Sequence, residues 1–527
     1  MKFFNTEGPM KPDIHYCIPP LTRWNLPEIL TLIEQQKYFV VHAPRQTGKT
    51  TCLLALQKYL NQQGAYRAVY VNVEAAQAAR EDVAAAMAAI VYKLAEQARA
   101  SLQDARLANQ YTELTQRVPI HAMLSAAFTE LALASETPLV LLLDEIDSLI
   151  GDTLISVLRQ LREGYPSRPA RFPQSVILCG VRDVRDYRLR TDDGKAVITG
   201  GSAFNIKAKS LRLGNFSQDE IAALYQQHTD ATGQAFAADV PAYVMAQTNG
   251  QPWLVNALAQ EVCFEMDAGR DRSRPISLEM IDQAKERLIL RRDTHLDQLI
   301  DKLREPRIRR VIEPALTGLD ATDSLRPDDV QYAIDLGLIQ QERNGAMQIA
   351  NAIYQEIIPR ELVWDLQSGV TQQTIWYLTP ENRLDMAKLL RAFQEFFREH
   401  SEHWIERFDY KEAGPQLLLQ AFLQRIVNGG GRVEREYGLG RLRTDLLILW
   451  PTPAGMQKIV LELKLLRKTL DKTIEQGMMQ TAEYLDRTGT AEGHLMIFDR
   501  TPGKTWDEKI FCQEREHAGH RMTIWGC

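Results

Sequence analysis

From about residue 35 to residue 210 the chain alternates short apolar runs with longer mixed stretches. Tyr38-Phe-Val-Val-His42 is one such run, and Ala68-Val-Tyr-Val-Asn-Val73 reads as a second strand. Leu139-Val-Leu-Leu-Leu143 and Val176-Ile-Leu-Cys-Gly-Val181 are continuous apolar runs of the kind shown by strands buried on both faces. Between them, Thr51 to Gln63 reads as a helix that Gly64 stops, and the alanine-rich stretch from Asp82 to Arg106 as a long helical region. Helices alternating with buried strands predict an α/β fold with a doubly wound parallel sheet.

Beyond residue 213 the pattern changes twice. From Phe216 to about Ala268 it is helical, broken at Gly250-Gln-Pro252. Residues from about 276 to 365 are helix-rich and end in two short apolar strands around Asn344-Gly345, the pattern of a winged helix. Gln367 to Thr379 is polar and reads as a linker, followed by helices to about Arg398. A helix near Gly414 to Val427 then precedes strands near 433–438, 444–449 and 458–466, a helix over 471–487 and a strand at His494–Phe498. The expected domains are an α/β core over 1–213, a helical lid over 214–275 and a winged helix over 276–366. A linker with helices over 367–404 leads to a second, smaller α/β domain over 405–527.

Composition narrows the class. In 527 residues, an apolar share of 45% and a charged share of 25% are ordinary for a soluble globular protein. A net charge of -6 excludes a generally basic nucleic-acid coat but leaves room for a local basic groove. Cys17, Cys52, Cys179, Cys263, Cys512 and Cys527 contain no C-x-x-C pair, which argues against a zinc ribbon or a disulfide framework and fits reduced thiols. The N-terminus has no apolar segment of signal-peptide length, and no window approaches the roughly 18 apolar residues of a membrane span. The expectation is a cytoplasmic protein with no membrane partner.

The first chemistry lies at Ala43-Pro-Arg-Gln-Thr-Gly-Lys-Thr50, between an apolar strand and a helix. That setting aims several backbone N–H groups and a helix N-terminus at one point, which suits a phosphate. Pro44, Arg45, Gln46, Thr47, Gly48, Lys49, Thr50 and Thr51 are therefore expected to bind ATP. Lys49 would reach the β and γ oxygens, and the Thr50 hydroxyl would ligate Mg²⁺. The usual first glycine is Ala43 here, and Pro44 holds that position extended, where alanine is unstrained. The second half of such a site is an acid closing a buried strand, supplied by Leu143-Asp-Glu-Ile-Asp147. Asp144 would hold Mg²⁺ through water, and Glu145 would polarise the attacking water. Arg159 and Arg162 read equally as solvated helix charges, so no arginine finger is assigned.

These motifs resemble the AAA+-like ATPases of the STAND class. The resemblance covers about residues 1–365 and extends to Gly180-Val-Arg-Asp183, Phe204-Asn-Ile206, Leu213-Gly-Asn-Phe-Ser-Gln-Asp-Glu220 and Asn249-Gly-Gln-Pro-Trp253. It implies a γ-phosphate sensor at Arg182, a lid contact to the nucleotide at Pro252, and an adenine pocket built from Tyr16 to Arg23. Arg182 could instead pair with Asp183 or Asp186, and Pro252 could be a helix breaker only.

A second constellation lies near the C-terminus. Arg443-Thr-Asp-Leu-Leu-Ile-Leu449 reads as a strand with one acid at its start, and Lys458-Ile-Val-Leu-Glu-Leu-Lys-Leu-Leu466 as the next. Residues two apart share a face, so Glu462 and Lys464 stand on one side while Leu461, Leu463 and Leu465 bury the other. If the strands pair, Asp445 approaches Glu462, and two such carboxylates can hold Mg²⁺. Lys464 would then orient or help deprotonate a water that attacks a phosphodiester. Over about residues 405–510 this arrangement resembles the PD-(D/E)XK nuclease superfamily. The resemblance implies Asp445, Glu462 and Lys464 as the motif, with Gln480 and Tyr484 as its helix element. The superfamily's further acid falls on either Glu412 or Glu436. Gly429-Gly-Gly431 with Arg432, Arg435, Arg441 and Arg443 reads as a phosphate groove or as plain surface charge.

The expected function is a nucleotide-controlled nuclease, and the pairing of domains resembles proteins of bacterial conflict, including antiphage and mobile-element systems. DNA is favoured over RNA as partner on the habits of the superfamily alone. The STAND resemblance implies homo-oligomers on activation. Two alternatives stay open: a signalling or scaffold ATPase whose C-terminal domain binds nucleic acid without cutting, and a motor that remodels DNA.

Overall fold

The computed structural model describes residues 2–183, 189–190, 197–198, 207–291, 301–303, 305–317, 325–341, 347–362, 377–407, 419, 422–423, 431–435, 446–466, 469–499, 501 and 503–527. It divides into two compact units. The first comprises Met1–Leu299, Arg326–Gly345 and Ala350–Ile353, and the second Ile300–Leu325, Ala346–Ile349 and Tyr354–Cys527.

The first unit is built on strands β1 (Phe39–His42), β2 (Arg67–Asn72), β3 (Leu139–Asp144) and β4 (Ser175–Gly180), with β5 (Leu189–Arg190) and β6 (Val197–Ile198) forming a separate two-residue antiparallel pair. With β7 (Lys209–Arg212) they give a five-stranded sheet in the order β2-β3-β4-β1-β7, and every pairing in it is parallel. Alternation along the strands explains why the runs are apolar throughout. Val40, Val69, Val71, Leu141, Leu143 and Leu178 face the helices Val83–Leu102, Ile120–Leu133 and Gly151–Glu163. Phe39, Val41, Ala68, Tyr70, Leu142 and Ile177 face Leu53, Leu56 and Leu60 of the helix Lys49–Gln63 on the other side. A sheet covered on both faces needs apolar residues at both parities. Parallel pairing also brings the carboxyl ends of β1, β3 and β4 to one edge, where ligands bind in open α/β sheets.

Past the sheet, the helices Gln218–Thr232, Val240–Thr248 and Pro252–Gln260 form the expected helical region. Ser217 and Glu220 close its first helix with a reciprocal capping box. Pro252 occupies the first turn of its helix, where its missing N–H costs nothing. The short strands β8 (Ile339–Gln341) and β9 (Met347–Ile349) are both present, and residues 342–346, which contain the Asn344-Gly345 turn, lie outside the described residues.

The second unit holds a six-stranded sheet. β10 (Arg432–Arg435), β11 (Leu446–Thr452) and β12 (Gly455–Leu465) are antiparallel neighbours. The helix Leu470–Thr488 then crosses to β13 (Glu492–Phe498), which lies parallel to β12. β14 (Phe511–His517) and β15 (His520–Gly526) complete the order β10-β11-β12-β13-β15-β14. Ile448, Ile459, Leu461, Leu463 and Phe498 pack with Phe393 of the helix Met386–Arg407. Leu447, Val460, Leu495 and Ile497 pack with Ile474, Met478 and Leu485 of the crossover helix. Among the described residues no helix is long and apolar enough to cross a membrane.

Candidate functional site

In the first unit, β1 ends at His42 and the chain turns back into the helix Lys49–Gln63 within six residues. Gln46 and Gly48 both adopt positive φ, 58° and 93°, which curls the intervening amides inward. Gly48 caps that helix with no side-chain cap hydrogen bond among the described residues, which leaves its first N–H groups suited to an anion. A Cβ at Gly48 would stand 3.1 Å from Nη1 of Arg23, so a side chain there would crowd the guanidinium. Thr47 is fully buried and its Oγ1 donates to the Pro44 carbonyl at 2.9 Å, bracing the loop, while Arg45 and Gln46 are exposed. Lys49 Nζ donates to the carbonyls of Ala43 and Pro44 at 2.9 and 3.0 Å. Thr51 Oγ1 accepts from the Met10 amide at 3.0 Å, which ties the N-terminal segment to the loop.

Asp144 closes β3 with no exposure. Its Oδ2 accepts from Thr50 Oγ1 at 2.7 Å and from the Tyr70 hydroxyl at 2.9 Å, and its Oδ1 accepts from the Glu145 amide at 3.0 Å. A P-loop hydroxyl and a strand-end carboxylate in direct contact fit a shared Mg²⁺ position. Glu145 holds a left-handed backbone, φ 57°, an uncommon state for a non-glycine residue that occurs more often at functional sites. Burial, reinforced by Asp147, raises its carboxyl pKa above the ordinary value. Asp147 accepts from the Val181 amide at 3.2 Å and so holds the end of β4.

Beside the loop lies a cavity of about 110 Å³. Tyr16, Ile18 and Pro20 line it from the N-terminal segment, and Phe216, Pro252 and Trp253 from the lid. The segment Tyr16–Arg23 and Pro252 thus meet the P-loop residues Gln46, Gly48 and Thr51 around one space. Arg182, just past β4, pairs through Nε with Asp335 Oδ2 at 3.3 Å and stacks over Tyr332 at 4.7 Å, while Asp186 lies outside the described residues. Both partners belong to the helix Pro327–Asp335. Arg159 and Arg162 are on the exposed face of their helix. The Phe204-Asn-Ile206 element lies outside the described residues.

In the second unit, Glu462 and Lys464 share one face of β12. Glu462 is 1% exposed, and Lys464 Nζ donates to its Oε1 at 2.6 Å. That face carries the crossover helix, in which the Gln480 Oε1 is buried with no hydrogen-bond partner among the described residues. β11 begins its pairing with β12 at Leu446 opposite Leu461, one step before Glu462. Asp445, Glu412, Glu436, Arg441 and Arg443 lie outside the described residues, and for Arg432 and Arg435 only the backbone in β10 is described. Among the described residues no cluster of three His, Cys, Asp or Glu side chains is placed to hold a metal.

Tyr70, Tyr332 and Asp335 take part in the first site yet carry no sequence motif, while Arg23 and Phe216 fall in the Tyr16–Arg23 and Leu213–Glu220 stretches of the resemblance without a role of their own. Tyr70 reads as a core aromatic on a buried strand, and Asp335 as a charge near a helix end. Only three-dimensional proximity assigns them.

The loop, the strand-end acid and the parallel sheet together define an AAA-type P-loop ATPase domain. Residues 33–187 match the family described as "AAA domain". No curated protein matches the chain. Solved structures with similarity include the Walker-type ATPase PABY2304 of Pyrococcus abyssi, at 13% identity and a TM-score of 0.47, covering 67% of this chain and 99% of that one. Cdc6p of Pyrobaculum aerophilum gives 16% identity and a TM-score of 0.35 over 66% of this chain and 93% of its own. The RuvB Holliday junction branch migration motor of Thermotoga maritima gives 11% identity and a TM-score of 0.33 over 62% and 90%.

Proposed function

We propose that the protein is an ATP-controlled, Mg²⁺-dependent nuclease, with DNA as the favoured substrate. One observation carries the nuclease half. A buried Glu462 and a half-buried Lys464 stand as a hydrogen-bonded pair on a strand that has an antiparallel neighbour on one side and a helix-connected parallel neighbour on the other. A carboxylate with 1% exposure is costly unless several groups compensate it. Asp445, which precedes Leu446 in sequence, and Gln480 on the covering helix are the groups proposed to complete the site.

In the first unit, Lys49, the loop amides and the open helix end bind the phosphates, and Glu145 accepts the proton of the attacking water. Thr50 and Asp144 would hold one Mg²⁺ and Asp445 and Glu462 another, each supplying charge neutralisation and a more acidic bound water. In the second unit, Lys464 would orient the attacking water toward the phosphodiester and Gln480 would fix the scissile strand. Arg182 is the proposed γ-phosphate sensor, and its pairing with Asp335 supports a resting state in which the sensor is engaged elsewhere. A role in antiphage or mobile-element conflict is the setting proposed for such a switch, with a homo-oligomer as its activated form.

The test is cleavage of plasmid and single-stranded DNA with Mg²⁺, with and without ATP, by the wild type, Glu462→Ala and Lys49→Ala. Glu462→Ala should lose cleavage by on the order of 10³-fold, because a metal-bound step loses several kcal/mol of stabilisation. Lys49→Ala should retain the cutting site but lose its response to ATP. No cleavage under any condition sinks the nuclease half and leaves the scaffold reading, and DNA-stimulated ATP turnover without cutting identifies a motor.

A further inference from the structure

The cavity beside the P-loop contains a cation that is held by carbonyls and an aromatic ring in place of a carboxylate. Arg23 donates through Nη1 to the Thr47 carbonyl at 2.7 Å and through Nη2 to the Gly214 carbonyl, and its guanidinium lies 4.5 Å from the Phe216 ring. Among the described residues it makes no ion pair, and burial pushes its pKa down. Carbonyls and an aromatic face solvate a guanidinium only in part, and a desolvated charge without a paired counter-charge is costly. Such a group is stabilised by an anion that arrives with a ligand.

Its position says which anion. Nη1 stands 3.1 Å from where a Gly48 Cβ would be, so the guanidinium lies directly against the phosphate loop. The same cavity is lined by Gln46, Gly48 and Thr51 on the loop side and by Phe216, Pro252 and Trp253 on its apolar side. Lys49, Thr50 and Asp144, which serve the far phosphates, are outside that lining. Arg23 therefore marks the border between the apolar part of the cavity and the loop, where a nucleotide changes from sugar to phosphate. Its bidentate fork suits a phosphate better than a point charge would.

Resting on the nucleotide-site reading above, we propose that Arg23 binds the phosphate attached to the sugar. It would thereby set the affinity for every 5′-phosphorylated nucleoside, however many phosphates follow. Nucleoside without phosphate gains nothing from it, whereas AMP, ADP and ATP gain alike. Lys49 differs, since its contribution begins at the second phosphate.

The experiment is competition binding of adenosine, AMP, ADP and ATP to the full chain as wild type, Arg23→Gln, Arg23→Lys and Lys49→Ala. Arg23→Gln should weaken AMP, ADP and ATP by a common factor of about tenfold or more, the scale of charged hydrogen bonds, and leave adenosine unchanged. Arg23→Lys should recover part of that factor, and Lys49→Ala should weaken ADP and ATP but spare AMP. The wild type alone gives a second measurement should the glutamine variant fail to fold. AMP should bind more tightly than adenosine, and the advantage should shrink as salt rises. The proposal is overturned if Arg23→Gln weakens adenosine as much as AMP, weakens ATP alone, or changes nothing. If the wild type binds none of the four ligands, the nucleotide site itself fails, an outcome distinct from the others.

Discussion

The two candidate sites solve the problem of assembling a reactive centre in opposite ways. In the first unit a contiguous strand–turn–helix supplies the loop amides, Lys49 and Thr50, and a single neighbouring strand end adds Asp144. Each piece is held by short hydrogen bonds within the motif: Lys49 to Ala43 and Pro44, Thr47 to Pro44, Thr50 and Tyr70 to Asp144. In the second unit one strand gives only Glu462 and Lys464, and the proposed partners come from another strand and a helix. Contiguity makes the first site locally rigid, whereas the second depends on the register of β11 against β12 and on the seating of the crossover helix. A one-residue slip of β12 would turn Glu462 and Lys464 to the opposite face.

The largest expected effect tests the rigidity of the first site. Asp144→Asn preserves the shape of a fully buried side chain but removes the charge that three donors surround. ATP turnover should fall by about 10²- to 10³-fold, the loss seen when a preorganised electrostatic group is removed. Tyr70→Phe, which deletes one of the three donors, should cost only about fivefold, because a single net hydrogen bond is worth about 1 kcal/mol. Steady-state turnover measures both. Equal losses for the two variants would show that Asp144 acts through its hydrogen-bond frame rather than through its charge.

The same contrast governs what could be read from the sequence. The P-loop, Asp144, Glu145 and the four buried strands were legible because their signals are local: apolar runs of strand length, a glycine turn and an acid at a strand end. The alternation that places Glu462 and Lys464 on one face and Leu461 and Leu463 on the other was equally legible, since period two needs no partner strand. Arg23 could be read only as part of the Tyr16–Arg23 stretch that the resemblance assigns to the adenine pocket; its carbonyl partners, Thr47 and Gly214, lie too far along the chain to be read. Nor was the Asp335 partner of Arg182 legible: the sequence offered the adjacent acids Asp183 and Asp186, of which Asp186 lies outside the described residues, and the fold adds Asp335 from a helix 153 positions away. Long-range ion pairs leave no periodic trace.

That pair gives the next effect in size. Arg182 and Asp335 are 13% and 2% exposed, and Gly337, just beyond the same helix, packs so closely on the P-loop that a Cβ there would meet Pro44 at 2.8 Å. Asp335→Ala should remove the carboxylate that Arg182 Nε pairs with while leaving the loop residues unchanged. If Arg182 senses the γ-phosphate, the preference for ATP over ADP should rise several-fold in Asp335→Ala and vanish in Arg182→Ala, measured by competition binding. Breaking one half of a buried pair should also lower the stability of the first unit by a few kcal/mol. An unchanged ATP-to-ADP ratio in both variants would reduce the pair to packing.

The smallest effect is a pH dependence, and it belongs to the first site alone. His42 closes β1 immediately before the loop, and its Nδ1 is buried without a hydrogen-bond partner among the described residues. Burial, helped by Arg212, Lys207 and Lys49 and opposed by Asp335, lowers its pKa to about 4. A folded-state pKa below the ordinary value of about 6.5 means that the unfolded chain binds the proton more readily. Stability is therefore lost as pH falls from about 6.5 toward about 4, and is fully present above that window. His42→Gln removes the titration while keeping a polar side chain of similar reach. The thermal transition that ATP shifts should then lose about 1–3 °C less between pH 7 and pH 5 than in the wild type, a scale set by about 1 kcal/mol in a unit of this size. The second unit's transition, which lies apart from His42 in the chain's division into units, should keep the same pH dependence in both proteins. If the ATP-sensitive transition instead keeps its full acid sensitivity in His42→Gln, another group near the loop controls it, and Glu145, whose pKa burial moves in the opposite direction, is the next to replace.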